Sequence, residues 1–216
     1  MNVRWRDHTC ARIVVRMTDV VGFIHSKGGV GKSTLTVFVA LALHSNGLIV
    51  RVLDADPQAS VHRWSSTAAK SRDPLPIDVV STPSPQAVSD AVSAARSKGI
   101  DIVLIDTPPG TPAVLDEVVK LVDLALIPTA ASPMDIDRVW PTLDLLADVP
   151  TAVVLNALDA RETAATVAKE TLEEAGVDVA DTTVPMRASV RRAFGTNPSV
   201  PAVYRELADE IKEAVS

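Results

Sequence analysis

A short segment rich in glycine and lysine carries the residue types that phosphate chemistry requires. It reads Ser26-Lys27-Gly28-Gly29-Val30-Gly31-Lys32-Ser33-Thr34. Its glycines let backbone N–H groups curl around phosphate oxygens without clashes from Cβ atoms. Lys32 is placed to reach the β- and γ-phosphates of a nucleotide, and the Ser33 hydroxyl is placed to ligate magnesium. The spacing therefore predicts a phosphate-binding loop (P-loop) over residues 26–34, all of which we expect to contact a nucleotide.

The segments on either side of the loop supply the context that a P-loop needs. Residues 20–24 are apolar and predict a buried strand, and residues 35–45 predict a helix that is buried on most faces. A helix that begins near Gly31 adds the positive end of its dipole to the phosphate site. The alternative is a glycine turn that only joins strand to helix. The average glycine content of about 7% disfavours finding three glycines here by chance.

Acidic residues follow two further predicted strands. The strand at residues 48–53 runs into Asp54 and Asp56, and the strand at residues 100–105 ends at Asp106. Ligands of α/β proteins bind at the carboxyl ends of parallel strands. Nucleotide hydrolysis needs a phosphate cradle, a metal ion and a positioned water molecule. We therefore expect these carboxylates to converge on the loop, although a helix N-cap or a solvated turn is a competing interpretation for each of them.

The loop and the acidic turn resemble those of the ParA/MinD family of ATPases. The deviant Walker A motif of that family, Lys-Gly-Gly-x-Gly-Lys-Ser/Thr, is matched at every fixed position. The generic P-loop pattern instead has glycine where this chain has Ser26. Residues 54–58 match the ParA turn Asp-x-Asp-Pro-Gln, and four apolar residues before Asp106 match a Walker B strand.

The resemblance implies a role for each side chain. Lys27 would cross a dimer interface to the partner's nucleotide, whereas a solvated loop lysine is the competing interpretation. Asp56 would position the attacking water, so the expected catalytic residues are Lys27, Lys32 and Asp56. The expected ligands of Mg²⁺ are Ser33, Asp54 and Asp106. Asn156 closes a predicted strand at residues 151–155 and would contact adenine, although asparagine is also a common turn residue.

Several features separate this chain from other branches of the resembling family. The single cysteine, Cys10, cannot hold the iron–sulfur cluster of nitrogenase iron protein. The predicted final helix, residues 203–215, has more acids than bases, whereas MinD ends in a basic helix that binds membrane. Tyr204 alone does not make the tyrosine-rich tail of the related kinases. Residues 1–19 are too few for the helix-turn-helix domain of large ParA proteins. We therefore expect a small ParA-type protein without a membrane partner.

Three arginines near the C-terminus are candidates for contacts with DNA. Arg187, Arg191 and Arg192 lie in or beside a predicted helix at residues 188–194. Arg187 and Arg191 share one face if that helix begins early. The resemblance implies non-specific DNA binding by the dimer, and phosphate contacts need positive charge but no base reading. The net charge of −6 favours the competing interpretation, a solvated helix face with local ion pairs.

Composition and element order predict the fold class. A chain of 216 residues that is 47% hydrophobic suits one domain with a sizeable core. Alternating strands and helices predict a doubly wound α/β fold of the Rossmann-like P-loop NTPase type, with a mostly parallel sheet and helices on both faces. We expect residues 17–216 to form a single ParA-type ATPase domain. Residues 1–16 are expected to be a disordered extension, with a basic arm that contacts DNA as the alternative.

The pattern predicts the remaining elements by their apolar periodicity and their turn residues. The predicted strands are residues 77–80, 124–127 (stopping at Pro128) and 179–183, and the predicted helices are residues 58–69, 85–98, 114–122, 135–147 and 161–175.

The combined interpretation is a cytoplasmic, nucleoid-associated ATPase for plasmid or chromosome partition. It would bind ATP and Mg²⁺, form a sandwich homodimer and bind non-specific DNA. A ParB-like centromere-binding partner would stimulate slow hydrolysis and release the dimer. One alternative is a ParA-like ATPase that positions another cargo, such as a chemoreceptor array or a protein compartment. The others are a metabolic synthetase of the same fold and a module that binds ATP with very slow hydrolysis. Lys27 and the turn at residues 54–58 count against the synthetase.

Overall fold

The structure is a computed structural model that describes residues 18–158 and 164–216, with the backbone alone at residues 157 and 158. The extension expected at residues 1–16 lies outside the described residues. The strands are β1 (Asp19–Phe23), β2 (Val50–Asp54), β3 (Asp78–Ser81), β4 (Ile102–Asp106), β5 (Leu124–Thr129), β6 (Thr151–Leu158) and β7 (Val184–Pro185). The helices are α1 (Lys32–Ser45), α2 (Ser60–Lys70), α3 (Pro85–Ser97), α4 (Pro112–Leu121), α5 (Pro133–Asp137), α6 (Trp140–Leu145), α7 (Ala164–Glu174), α8 (Ala188–Arg191) and α9 (Ala202–Val215).

The described strands form one parallel sheet with β1 at its centre. Their order is β3-β2-β4-β1-β5-β6-β7, and every neighbouring pair is parallel. Chain order reverses beside β1, which is the switch point at which open α/β sheets bind ligands. The predicted doubly wound α/β fold is confirmed.

Two apolar cores cover the two faces of the sheet. Successive side chains of a strand point to opposite faces, and Phe23 accordingly joins one core while Ile24 joins the other. The first core is completed by α1, α2 and α9, and the second by α3, α4 and α7. Both faces of the central strands are therefore dry, which explains their nearly continuous apolar sequence.

Helix α1 is held in place by aromatic contacts. The ring of Phe38 stacks on that of Tyr204 in α9, with centroids 4.6 Å apart and planes at 21°. Trp64 of α2 packs edge-on against the ring of Phe38, with ring centroids 6.0 Å apart. Because α1 begins at the last residues of the P-loop, these contacts also set the position of the loop.

The prediction that β5 stops at Pro128 is wrong. The strand continues through Pro128 to Thr129, and Pro128 pairs in register with Val154 of β6. Pairing between β1 and β5 ends at Phe23 and Leu126. The backbone nitrogen of Pro128, two residues beyond Leu126, points to the same side of β5 as the backbone groups of Leu126 that face β1. Because β1 has already ended there, no β1 residue needs an N–H from Pro128. A proline is tolerated in a strand where its missing N–H has no ladder partner to meet.

Two other predicted elements are also corrected. The single helix expected at residues 135–147 is two short helices, α5 and α6, with Pro141 in the first turn of α6. Proline cannot donate to the preceding turn and so interrupts a continuous helix. The strand expected at residues 179–183 is reduced to one bridge, between Val179 and Val153, and β7 begins only at Val184. The carboxylate of Glu210 accepts the backbone N–H groups of Asp181 and Thr182 in place of a ladder.

The remaining elements lie within a few residues of their predicted bounds, although the first residues of the helix predicted at 161–175 are outside the described part. No helix in the described residues is long and apolar enough to cross a membrane.

Candidate nucleotide-binding site

The P-loop connects the central strand to α1 through glycines in the left-handed region. Gly29 has φ +80° and Gly31, the residue before α1, has φ +92°. Other residues adopt these angles only with strain. A Cβ atom on Gly31 would lie 2.3 Å from the amide nitrogen of Asn156, so a side chain there would also clash. The backbone can therefore form the tight curve that a phosphate cradle needs.

Lys32 lies buried inside this curve. Its ammonium group donates to the backbone carbonyls of His25 and Lys27, both at 3.2 Å. Burial lowers the pKa of Lys32, while the negative charges of Asp106 and Asp56 raise it. The positive charge is thus held at the centre of the loop and faces the acidic side chains.

The carboxyl ends of β2 and β4 place two aspartates side by side. Asp54 and Asp106 are register partners, and Asp106 also pairs with Phe23 at the end of β1. Both carboxyl groups are fully buried. Sequence reasoning predicted this convergence beside the loop, and the strand register brings it about.

The two aspartates differ in their hydrogen bonding. Asp54 accepts the backbone N–H of His62 at 2.8 Å and that of Asp56 at 3.3 Å, so its carboxylate also caps the first turn of α2. Burial raises its pKa. Neither oxygen of Asp106 reaches a hydrogen-bond partner within the described residues. Burial raises the pKa of Asp106 to about 7, although the nearby Ser33 hydroxyl lowers it.

A magnesium ion fits this arrangement. Burying the two oxygens of Asp106 without hydrogen-bond partners destabilises the folded state unless a cation or a proton binds them. The described residues contain no group of three or more His, Cys, Asp or Glu side chains that could cage a metal. Magnesium needs no such cage, because it commonly binds one or two carboxylates together with phosphates and waters. The residues that would hold it are Ser33, Asp106 and Asp54.

Asp56 lies at the edge of the same group. It is half-buried, and one of its oxygens accepts the N–H of Gln58 at 2.8 Å, as in an Asx turn. Its charge acts on Lys32, Asp54 and Asp106. The structure thus brings all three predicted acidic residues to the mouth of the loop.

Lys27 pairs with a residue of α5 that sequence reasoning missed. Its ammonium lies 2.5 Å from a carboxylate oxygen of Asp135 in α5. The other oxygen of Asp135 accepts the Ser132 hydroxyl at 2.6 Å. Hydrogen bonds from Lys27 and Ser132 lower the pKa of Asp135. The motif at residues 132–135, a serine three residues before an acid, signals a helix start but not a partner for Lys27.

Asn156 touches the loop directly. Its side-chain amide donates to the backbone carbonyl of Val30 at 2.7 Å, and the residue is buried. Because β6 extends to Leu158, Asn156 lies within the strand, and the expectation that it closes the strand is wrong. The adenine contact stays a prediction, and the contact that the geometry gives is with the P-loop.

Comparison with known proteins agrees with this geometry. The VirC1 protein family matches residues 18–194. The chain belongs to the VirC1 family of ParA/MinD-type ATPases.

Named relatives of this ParA/MinD-type chain cover most of its length. Maintenance of carboxysome distribution protein A of Halothiobacillus neapolitanus is 29% identical over 201 residues, which are 88% of this chain and 91% of that protein. Protein virC1 of Rhizobium radiobacter is 31% identical over 146 residues, 63% of each chain. The fold is also that of septum site-determining protein MinD from Pyrococcus horikoshii, solved with Mg-ADP. That likeness has a TM-score of 0.71, 18% identity and coverage of 91% of this chain and 96% of that one.

The three candidate DNA-binding arginines lie on a different part of this ParA/MinD-type structure. All three are exposed, in the segment between β7 and α9. Helix α8 spans only residues 188–191, and Arg187 precedes it in an extended conformation, with φ −127° and ψ 132°. The helical face expected to carry Arg187 and Arg191 is therefore not formed, although the arginines remain close in sequence and open to solvent.

Proposed function

We propose that this chain is a magnesium-dependent ATPase that acts as a switch, dimeric with ATP and monomeric after hydrolysis. The observation that best supports this proposal is that the two lysines of the loop lie in different positions. Lys32 is buried inside the loop, whereas Lys27 extends to the rim, where 35% of its side chain is exposed. One lysine is enough to hold the phosphates of one nucleotide. In the described conformation Lys27 pairs with Asp135 of α5, and exchanging that partner would let its ammonium reach a nucleotide bound by a second copy.

The chemistry follows from the placement of the remaining groups. Lys32 and the backbone N–H groups of residues 28–34 would orient the phosphates, and the positive end of α1 favours their charge. Magnesium, when bound, neutralises charge that develops between the phosphates. Asp56 would align the water for attack, because it lies at the mouth of the loop beside the buried acids. Positioning and electrostatics of this kind carry most of phosphoryl transfer.

Dimerisation would couple nucleotide to DNA. A homodimer doubles the number of exposed arginines at Arg187, Arg191 and Arg192. When one copy of the dimer contacts DNA, the other is held close to it at a high effective concentration. Weak phosphate contacts from the two copies therefore combine into tighter binding. In this proposal the dimer rides on non-specific nucleoid DNA in the cytoplasm. A ParB-like centromere-binding partner stimulates hydrolysis, which releases the dimer and moves a plasmid or chromosome origin.

Binding to non-specific duplex DNA tests the switch directly. It is measured with ADP, with ATP, and with ATP plus Lys27→Gln, each at low and moderate salt. We expect tight binding only for the wild-type chain with ATP, and weaker binding at the higher salt because neutralised phosphates release counterions. Equal binding with ADP and ATP would overturn the switch. Absence of binding with ATP at low salt would remove DNA as the track.

Arginine variants locate the surface. Replacing Arg187, Arg191 and Arg192 together by Gln should lower the slope of log affinity against log salt by about 0.9 for each lost phosphate contact. Arg96→Gln is the matched control, because Arg96 is an exposed arginine on α3, on the opposite face of the sheet. An equal drop in slope for each arginine replaced would mean that general charge, and not this surface, drives binding.

A cargo other than DNA is the second candidate. The names of the carboxysome-distribution relatives, one of which aligns with 88% of this chain, favour it. The same switch would then distribute a protein compartment. Plasmid retention and compartment spacing, both measured in source cells that carry Lys27→Gln, separate the candidates. Loss of plasmids with normal compartments supports partition, whereas clustered compartments with normal plasmid retention support the second candidate.

A further inference from the structure

His25 is a fully buried histidine at the junction of β1 and the P-loop. Its exposed fraction is 0%. The preceding residue, Ile24, donates its N–H to the carbonyl of Leu126 in β5 at 2.9 Å. The backbone is therefore fixed by the sheet up to Ile24, and His25 is the first residue that the sheet ladder does not hold.

His25 contacts both loop lysines through different atoms. Its imidazole Nδ1 accepts the backbone N–H of Lys27 at 2.9 Å. Its backbone carbonyl accepts the ammonium of Lys32 at 3.2 Å. The first contact depends on the side chain, whereas the second would survive any substitution that keeps the backbone in place. Changes at residue 25 should therefore affect Lys27 more than Lys32.

The contact with Lys27 fixes the tautomer of the ring. Since Nδ1 accepts, the proton of the neutral ring must sit on Nε2. Burial, together with the charges of Lys32 and Lys27, lowers the pKa of His25 to about 4. Among the other charged groups that face it, Asp135 raises this pKa and Arg138 lowers it. The ring is thus neutral near pH 7, as an acceptor at Nδ1 must be.

The imidazole is a poor choice for packing alone. Its Nε2 is buried and reaches no hydrogen-bond partner within the described residues. Leaving a buried donor without a partner is destabilising, so an apolar side chain of similar size would pack here at lower cost. What an apolar side chain cannot supply is the acceptor for the N–H of Lys27.

We propose that His25 is a positioning residue that orients Lys27 by holding its backbone N–H. Fixing that peptide group fixes the direction in which the Lys27 side chain leaves the loop, and therefore where its ammonium can reach. The inference rests on the proposed role of Lys27 at a second copy's nucleotide. The proposed role of His25 requires no contact of its side chain with nucleotide or metal.

Two substitutions separate the acceptor from the bulk of the side chain. His25→Asn keeps an acceptor, since its Oδ1 can take the place of Nδ1. His25→Leu keeps apolar volume and removes the acceptor. Each is made alone and combined with Lys27→Gln. The measurements are kcat and KM for ATP, and sedimentation of the dimer with a non-hydrolysable ATP analogue.

We expect His25→Leu to lower kcat and dimer formation by roughly tenfold or more, the usual scale for misplacing a catalytic group. KM should change little, because Lys32 keeps its contacts. His25→Asn should stay near wild type. In the Lys27→Gln background His25→Leu should change kcat by less than about twofold, since the group it acts through is gone. A full further loss in that background would overturn the positioning role. If Lys27→Gln itself left kcat and the dimer unchanged, the proposed function would fail instead.

A spectroscopic readout keeps the inference testable if His25→Leu folds poorly. A long-range ¹H–¹⁵N spectrum of the nucleotide-free protein, labelled at histidine, should show His25 with a bare Nδ1 and a protonated Nε2. This pattern should persist from about pH 5 to about pH 8. In Lys27→Gln the tautomer should be unchanged, because the backbone N–H remains. A proton on Nδ1 in the wild-type chain would overturn the proposal whatever the activity of the variants.

Discussion

Lys27 and Asp135 form an ion pair, 2.5 Å long, between residues that are 108 positions apart in the chain. It joins the P-loop to the first turn of α5. Met134, the residue before Asp135, has 67% of its surface exposed. Because of the ion pair with Asp135, the lysine that is proposed to cross to a second copy is held within its own subunit in the described conformation.

Asp135→Asn should shift the protein towards the ATP-bound dimer. The substitution weakens the hold on Lys27 and so lowers the cost of moving that side chain to a second copy. An ion pair of this partial exposure is worth at most about 1 kcal/mol, and two such pairs are released in each symmetric dimer. The dimer should therefore become up to roughly thirtyfold tighter. Sedimentation with a non-hydrolysable ATP analogue measures this change.

Asp137→Asn is the control for Asp135→Asn. Asp137 is an exposed acid on the same short helix. It should leave the dimer affinity unchanged. A weaker dimer in Asp135→Asn would mean that Asp135 contributes to the dimer contact itself and does not restrain Lys27 within the subunit.

The buried carboxyl of Asp106 should make the nucleotide-free protein less stable as pH rises, whereas the lowered pKa of His25 acts in the opposite direction below about pH 6.5. The pKa of Asp106 is raised to about 7 by burial, so between its ordinary value and about 7 the folded state binds a proton that the unfolded state has lost. This group alone therefore lowers the free energy of unfolding with pH across this window, by at most roughly 4 kcal/mol. Urea unfolding without magnesium at about pH 5 and about pH 8, compared between the wild-type chain and Asp106→Asn, isolates this contribution.

In Asp106→Asn the stability should fall less between these two pH values than in the wild-type chain, because the asparagine side chain does not titrate. Asp116→Asn, at an exposed acid on α4, should keep the wild-type pH dependence. The same change of stability with pH in the wild-type chain and in Asp106→Asn would contradict the assignment to Asp106. Magnesium should also stabilise the wild-type chain more than Asp106→Asn.

Alanine at the two left-handed glycines of the P-loop, Gly29 and Gly31, should have unequal effects. Gly29→Ala meets open space, with no atom within 4 Å of the new Cβ, so only backbone strain of about 1 kcal/mol is expected. Gly31→Ala adds a clash with the Asn156 amide at 2.3 Å and should also disturb the hydrogen bond to Val30. Urea unfolding and titration with a fluorescent ADP should show the larger loss for Gly31→Ala. Equal losses would mean that Asn156 moves aside without cost.

Asp56→Asn should separate hydrolysis from binding. The amide keeps an oxygen to accept the Gln58 N–H, so the turn should stay intact. The charge that aligns water is lost, and kcat should fall by roughly a hundredfold or more. The affinity for ATP should change little, because Lys32 and the loop amides are untouched. Phosphate release and nucleotide titration test this prediction, and wild-type turnover in Asp56→Asn would exclude the role.

Local patterns were sufficient to predict the central part of the site. The P-loop, β2 and β4 are short segments whose identity lies in adjacent residues, and parallel pairing then forces Asp54 beside Asp106. The α/β alternation likewise determined the sheet. These features depend on rules that act over a few residues and on the general geometry of parallel sheets.

Contacts between distant segments could not be predicted in the same way. Neither the pairing of Lys27 with Asp135 nor that of Asn156 with Val30 has a signature in adjacent residues. The strand expected at residues 179–183 does not form there, because the carboxylate of Glu210 in α9 accepts the backbone N–H groups of Asp181 and Thr182. No sequence pattern indicated His25, because its proposed role depends on burial and on the orientation of its ring.

The stacking of Phe38 on Tyr204 has a consequence for how the chain matures during translation. Helix α1 is the first helix of the described residues to be synthesised, yet α9, which covers one face of it, is the last. Until α9 emerges from the ribosome, this apolar face has to be shielded by transient contacts or by chaperones. The P-loop rests on that helix, so the nascent protein should gain its affinity for nucleotide late, close to the moment when α9 docks.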